Sequence, residues 1–295
     1  MEFRGCYVAI ITPFTADGKL DEAGLRSNID FLIKGGVSGI VPCGTTGESA
    51  TLSWEEHKRV IDIAIEQAKG KAQVIAGAGS NNTSEAIEAA RHAKKSGADA
   101  VMSITPYYNK PSQDGLYRHF KAITSEVDIP MLVYNVPGRT GVNMLPETVE
   151  RLCELPQVQA IKEASGDISQ ISEIHRRCGD RLAVLSGDDG LTLPVLAVGG
   201  KGIVSVIGNI VPDKLSRLVD LFLKGDAAGA LKIHEELLPL AKIVFIESNP
   251  VPVKNCMMEI GLAAGPVRLP LAPMIESNKV KLLDVFKTYS LAKIK

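Results

Sequence analysis

Val158-Gln159-Ala160-Ile161-Lys162 is a short apolar run that closes on a lysine, and Glu163-Ala164-Ser165-Gly166-Asp167 turns the chain after it. Similar runs recur along the sequence at Tyr7 to Ile11, Gly39 to Cys43, Val74 to Ala78, Ala100 to Ile104, Met131 to Tyr134, Leu182 to Leu185 and Gly202 to Val206. Their apolar residues run on instead of alternating with polar ones. Strands covered on both faces of a parallel sheet have that pattern.

Between the runs lie segments of helical period with recognisable ends. Leu25, Ile29, Leu32 and Ile33 share one face, with Asp21 as N-cap and Gly35-Gly36 as the stop. Ser53 and Glu56 form a capping-box pair, Thr83 opens the next helix and Gly97 closes it. Pro146 and Pro212 suit first helical turns, where a missing N–H costs nothing. Eight βα units, with no Gly-x-Gly-x-x-Gly after the first strand, favour a closed barrel over an open doubly wound sheet. The fold expected is therefore α/β, a (β/α)8 TIM barrel over residues 1–224. A small C-terminal helical extension follows over 225–295, with apolar faces at Ala230 to Phe245, Val251 to Ala264 and Val280 to Leu291.

Apolar residues make up 45% of the chain and charged ones 23%, which suits a globular protein with a large core. The 33 basic and 34 acidic residues are interspersed, so no nucleic-acid or membrane surface is expected and a small molecule is the expected partner. No stretch reaches the roughly 20 apolar residues of a membrane span, and the N-terminus lacks the layout of a signal peptide. Cys6, Cys43, Cys153, Cys178 and Cys256 are scattered without a Cys-x-x-Cys pair, which fits reduced thiols in the cytosol. The five histidines have no ligand spacing, so no metal is expected, and no cofactor fingerprint of the Gly-x-Gly-x-x-Gly kind follows the first strand.

In a barrel, the C-terminal strand ends face the reaction chamber. Lys162 ends the sixth strand; it reads either as an ordinary strand-end lysine or as a nucleophile, because desolvation favours the neutral amine. Tyr134 ends the fifth, and its hydroxyl is either a packed polar tip or a proton carrier. Arg139 lies in the Gly-rich loop after it, where a guanidinium can grip a carboxylate with two parallel hydrogen bonds. Gly44-Thr45-Thr46-Gly47-Glu48 follows the second strand, and its glycines, hydroxyls and amides suit an anion seat. Tyr107 and Tyr108 sit in a Pro-bounded loop after the fourth strand, one suited to a site and the other to a subunit contact. Asp188-Asp189 reads as a helix-capping loop in preference to a cation site.

Together, Gly44-Thr45-Thr46-Gly47-Glu48, Tyr134, Gly138-Arg139-Thr140-Gly141 and Lys162 resemble the dihydrodipicolinate synthase family, and the resemblance runs nearly end to end. The Gly-Thr-Thr-Gly-Glu loop and the lysine are shared with the wider pyruvate-dependent lyases, including N-acetylneuraminate lyase. The stretch from Asn135 to Gly141 is more specific to the synthases. The resemblance implies an imine between Lys162 and pyruvate, and a proton relay of Thr45, Tyr134 and Tyr108, the last from a neighbouring subunit. It implies that Thr46 seats the pyruvate carboxylate, Gly187 and Val204 line the pyruvate pocket, and Arg139 holds L-aspartate 4-semialdehyde. A homotetramer built from tight dimers is implied too.

Ser49, Ala50, His57, Asn81, Glu85 and Tyr107 match the family's site for L-lysine as feedback inhibitor, with Glu85 suited to an ammonium group. Trp54 stands there in place of the histidine of many bacterial members. The alternatives are a sugar-acid aldolase such as N-acetylneuraminate lyase or a 2-keto-3-deoxy-acid aldolase, and a non-catalytic barrel that senses pyruvate or lysine.

Overall fold

The computed structural model describes residues 1–293. Eight parallel strands close into a barrel in chain order. They are β1 (Gly5–Ala9), β2 (Gly39–Val41), β3 (Gln73–Gly77), β4 (Ala100–Ile104), β5 (Met131–Asn135), β6 (Val158–Glu163), β7 (Ala183–Ser186) and β8 (Gly202–Ser205). The helices outside are α1 (Glu22–Lys34), α2 (Trp54–Ala68), α3 (Thr83–Ser96), α4 (Gln113–Glu126), the short α5 (Pro137–Thr140), α6 (Pro146–Leu152), α7 (Ile168–Cys178), α8 (Thr192–Ala197) and α9 (Pro212–Leu223). After them come α10 (Ala227–Ile243), α11 (Val251–Glu259) and α12 (Glu276–Lys287).

The helix ends follow the local chemistry. The Asp21 carboxylate accepts from Gly24 N at 2.8 Å, and Ser53 with Glu56 forms the reciprocal box at the start of α2. Asn82 caps α3, and Gly97 ends it in the left-handed region, where a side chain would be strained.

Two strands stop two residues short of the apolar runs that announced them. The first run extends to Ile11, but β8 stops at Ser205. Ile11 N is instead taken by the Asn209 side-chain oxygen at 3.2 Å, a substitute for a strand partner. The second run extends to Cys43, but Pro42 has no N–H to give the ladder and Cys43 turns left-handed at φ 56°.

Strand residues divide between two apolar layers. Tyr7, Ala9, Val41, Ile75, Ala100, Met102, Leu132, Tyr134, Ala160, Leu185 and Val204 belong to the cluster inside the barrel. Their strand neighbours, among them Val8, Ile40, Ala76, Val101, Val133 and Ile161, pack outward against the helices. Tyr7 closes the lower interior and donates its hydroxyl hydrogen to Gln73 Oε1 at 2.7 Å. With the period of two, Lys162 points inward above Ala160, whereas Glu163 points outward.

Residues after Gly225 return to the upper rim. Asn28 Nδ2 donates to Ala263 O at 2.7 Å, and Phe14 N donates to Ala264 O at 3.1 Å. Among the described residues, no helix is long and apolar enough to cross a membrane. The five cysteines are unbridged.

Closure of β8 on β1 leaves no room for side chains at the seam. A methyl group on Gly202 would meet Gly5 O at 2.0 Å. Gly202→Ala is therefore expected to lower the unfolding free energy by about 1–3 kcal/mol, the usual range for overpacking. Urea unfolding measures it, and an unchanged midpoint would mean that the seam yields freely.

Candidate active site

Lys162 and Tyr134 are register partners on β6 and β5, both turned into the barrel. The lysine Nζ lies 4.2 Å from the centre of the tyrosine ring. Lys162 is only 5% exposed, and burial brings its amine down from 10.5 to about 8; Asp189 pulls the other way and Arg139 adds to the fall. Burial also pushes the Tyr134 phenol up to about 12, against the opposing pull of Arg139 and of the Thr45 side chain. One side chain is thereby readied to lose its proton and the other to keep it. A neutral nucleophile beside a protonated hydroxyl can add to a carbonyl and donate a proton to the oxygen that leaves.

The Gly44 to Glu48 loop faces this pair. Gly44 and Thr45 line the same cavity as Tyr134 and Arg139. Thr46 lies just behind, and its hydroxyl accepts from Asn249 Nδ2 at 2.9 Å. Gly77 is obligatory in this packing, because a Cβ there would lie 2.2 Å from Cys43 O. Glu48 ends the loop in the left-handed region at φ 52°. Its carboxylate accepts from Lys254 Nζ at 2.7 Å and from Arg268 N at 3.0 Å.

Arg139 is exposed on α5 and reaches the cavity. Its loop is tied from beneath by outward-facing residues of β5 and β6. Asn135 Nδ2 donates to both Glu163 oxygens, at 3.1 and 3.3 Å, and to Asn143 Oδ1 at 2.8 Å. Asn135 Oδ1 accepts from Met144 N at 3.0 Å, while Gln170 bridges Asn143 and Glu163. Burial raises the Glu163 carboxyl above its ordinary value, although its hydrogen bonds oppose the shift.

On the far side, a Cβ at Gly187 would approach Lys162 Cε to 3.1 Å, so this glycine keeps the space beside the lysine clear. Val204 points inward opposite Tyr7 in the registered β1–β8 pair. Asp188 caps its own turn through Gly190 N at 2.8 Å. Asp189 is buried and accepts from the Ser205 hydroxyl, Val206 N at 2.9 Å and Ile207 N at 3.2 Å, which binds the end of β7 to the end of β8.

The cavity, about 480 Å³, continues outward past Ser49, Ala50, Trp54, His57, Glu85 and Tyr107. Asn81 stands at its edge and donates to Tyr107 O at 3.2 Å. Glu85 is held by Ser80 Oγ at 2.7 Å. Burial lowers His57 to about 4, so its ring is neutral at ordinary pH. Tyr108 does not line this cavity; it is 88% exposed on a left-handed residue at φ 71°. One chain thus gathers Lys162, Tyr134, Thr45, Thr46, Arg139, Gly187 and Val204, but holds Tyr108 outward.

Asn249, Lys254 and the Asn135–Glu163 pair support the site without belonging to the inward strand-end pattern that marks the other residues. Lys254 carried a signal, since it interrupts the apolar Val251-Pro252-Val253 run with a charge. The Glu163 carboxylate, one residue past the candidate nucleophile, was also visible.

The lowered Lys162 value fixes the sign of a stability effect. Below about pH 8 the fold holds an ammonium it disfavours. That penalty fades as pH rises from about 8 towards 10.5, where the unfolded lysine also loses its proton. Lys162→Met is expected to stabilise the protein on the order of 2 kcal/mol at pH 7, with the advantage shrinking towards pH 10. Denaturant titrations at both pH values measure it, and a gap independent of pH would contradict the desolvated amine.

The dihydrodipicolinate synthetase family model matches residues 2–289. The 4-hydroxy-tetrahydrodipicolinate synthase of Pelobacter propionicus is 54% identical over 289 residues, covering 98% of this chain and 99% of that one. The dihydrodipicolinate synthase of Acinetobacter baumannii, solved in complex with pyruvate, superposes with a TM-score of 0.96 at 41% identity over 98% of this chain and 99% of that one. The enzyme of Cyanidioschyzon merolae, solved with lysine bound, gives a TM-score of 0.95 at 40% identity over the same shares. From barrel to strand-end lysine, this chain belongs to the dihydrodipicolinate synthetase family.

Proposed function

We propose that the chain is a Schiff-base-forming carbon–carbon lyase that condenses pyruvate with L-aspartate 4-semialdehyde, as a 4-hydroxy-tetrahydrodipicolinate synthase of lysine biosynthesis. The observation that carries this reading is the desolvated Lys162 amine set 4.2 Å from the Tyr134 ring at the inner strand ends. The full-length likeness to proteins of that name supports it.

The neutral Lys162 amine adds to the pyruvate carbonyl, and Tyr134 donates the proton with which the carbinolamine oxygen departs as water. Thr45 and a second copy's Tyr108 return that proton. Thr46 and the amides around it hold the keto-acid carboxylate, and Gly187 and Val204 bound the methyl side. The same hydroxyl relay takes a proton from the methyl group to give the enamine, whose carbon attacks the aldehyde carbon of the semialdehyde while the relay supplies the proton that the aldehyde oxygen takes up. The amino group of the semialdehyde then adds to the imine carbon and releases Lys162 as the free amine, which closes the ring. In this reading residues 1–224 carry the reacting groups, residues 225–295 brace them, and the enzyme works in the cytosol as a pair of tight dimers.

Arg139 favours the semialdehyde over a polyhydroxylated sugar acid, because a guanidinium fork matches a carboxylate. The outer arm of the cavity fits L-lysine as feedback inhibitor. Its ammonium would meet Glu85, with Ser49, Ala50, Trp54, His57, Asn81 and Tyr107 around it.

Borohydride reduction in the presence of pyruvate, followed by intact mass and peptide mapping, is expected to mark Lys162. Lys162→Ala should abolish the adduct. A sensor barrel would trap nothing, and failure of the wild type to trap pyruvate would refute the proposal. Arg139→Ala should still trap pyruvate while raising KM for the semialdehyde roughly 10- to 100-fold, the worth of a charged hydrogen-bond pair. Faster turnover of N-acetylneuraminate than of the semialdehyde would favour the sugar-acid lyase instead.

A further inference from the structure

Lys254, on α11 outside the barrel, and Glu48, at the end of the anion-seat loop, form an ion pair in which both side chains are 1% exposed. The pair is fully partnered. The ammonium also donates to Pro266 O at 2.8 Å and lies 4.5 Å from the centre of the Phe14 ring, while the second carboxylate oxygen takes Arg268 N. Removing two charges from water is costly, and an apolar pair of the same volume would usually serve stability as well or better. The placement of this pair suggests another use.

The loop from Gly44 to Gly47 is flanked by Cys43 at φ 56° and Glu48 at φ 52°, both non-glycine residues in the left-handed region. Such residues persist only where their surroundings hold them. Glu48 is held by its side chain, through Lys254 on one oxygen and Arg268 N on the other. The same tail also fixes Thr46, through Asn249. Of the two charges, only Glu48 lines the cavity; Lys254 stands behind it.

We propose that Lys254 and Glu48 are positioning residues, an ion pair that locks the strained loop in its anion-receiving shape and neutralises the carboxylate at the edge of the seat. The C-terminal helices would thereby set the affinity for the keto acid. This inference rests on the reading that the loop seats the pyruvate carboxylate.

The charges make the effect asymmetric. Lys254→Met leaves an uncompensated carboxylate behind the loop that receives the substrate carboxylate, so it should raise KM for pyruvate about 10-fold or more while kcat changes less than about 3-fold. Glu48→Gln leaves an ammonium behind the seat and should raise KM less. Leu282→Ala, which opens a cavity in the buried face of α12 where that helix packs on α10 and α11, serves as the control for a general loss of stability, with an unchanged KM.

The experiment measures steady-state KM and kcat, together with the pyruvate dependence of borohydride trapping, for the full-length wild type and these variants. The expected order of KM is Lys254→Met above Glu48→Gln above wild type. A wild-type KM in Lys254→Met, or an equal rise in Leu282→Ala, would overturn the inference while leaving pyruvate chemistry intact. Absence of any trapped adduct in the wild type would overturn both. If Lys254→Met does not fold, the double variant Glu48→Gln/Lys254→Met removes the uncompensated charge. A raised KM in that variant supports the positioning role, and a wild-type KM overturns it.

Discussion

A primary amine kept near a pKa of about 8 needs a place from which water is excluded. The rest of the site follows from that constraint. A closed barrel provides such a place at its strand ends, because the layers beneath are filled. Ala160 and Leu132 lie below Lys162 and Tyr134, and Tyr7 seals the lower interior. An open sheet would leave one face of the same lysine to be covered by a loop. Burying the amine works against folding, so the surrounding structure must stand without help from it.

The period of two along each strand separates the chemistry from its support. Inward residues at the upper layer, Tyr134 and Lys162, belong to the reacting set; the residues after them, Asn135 and Glu163, turn outward and pair with each other. That outward pair fastens the loop carrying Arg139. Asp189 does the equivalent at the other side of the barrel, where it joins the end of β7 to the first amides after β8. Each reacting group thus sits one residue or one strand from a buried carboxylate. A negative charge beside the site would ordinarily raise a lysine's pKa, and Asp189 does oppose the fall. Burial is the larger influence and prevails, while the Asp189 carboxylate is held by Ser205 and two backbone amides.

Much of this was legible in the sequence. Eight apolar runs separated by capped helical segments mark a parallel sheet covered on both faces, and the count of eight with no dinucleotide-type Gly motif favours its closure into a barrel. A Gly-Thr-Thr-Gly loop after β2, a tyrosine and an arginine at and after the end of β5 and a lysine on β6 then converge on one end of the barrel. What stayed hidden depends on contacts remote in sequence. Asn249 meets Thr46 and Lys254 meets Glu48 across more than 200 positions, and no local periodicity encodes such a pairing. The strand ends were misjudged for a similar reason: Asn209 takes over from a backbone partner at Ile11, which only the closed structure reveals.

The cavity makes its two ends mechanically continuous. Thr45 and Tyr134 stand at the inner end, Glu85, His57 and Trp54 at the outer, and the one segment that supplies Gly44 and Thr45 also supplies Glu48 to Leu52 to the lining. Glu48 stands where the two arms meet, and its left-handed backbone leaves it few neighbouring conformations to relax into. Its buried carboxylate is tied to Lys254 and to Arg268 N, and Thr46 beside it to Asn249. An anchor behind the loop therefore steadies both arms of the cavity from one place.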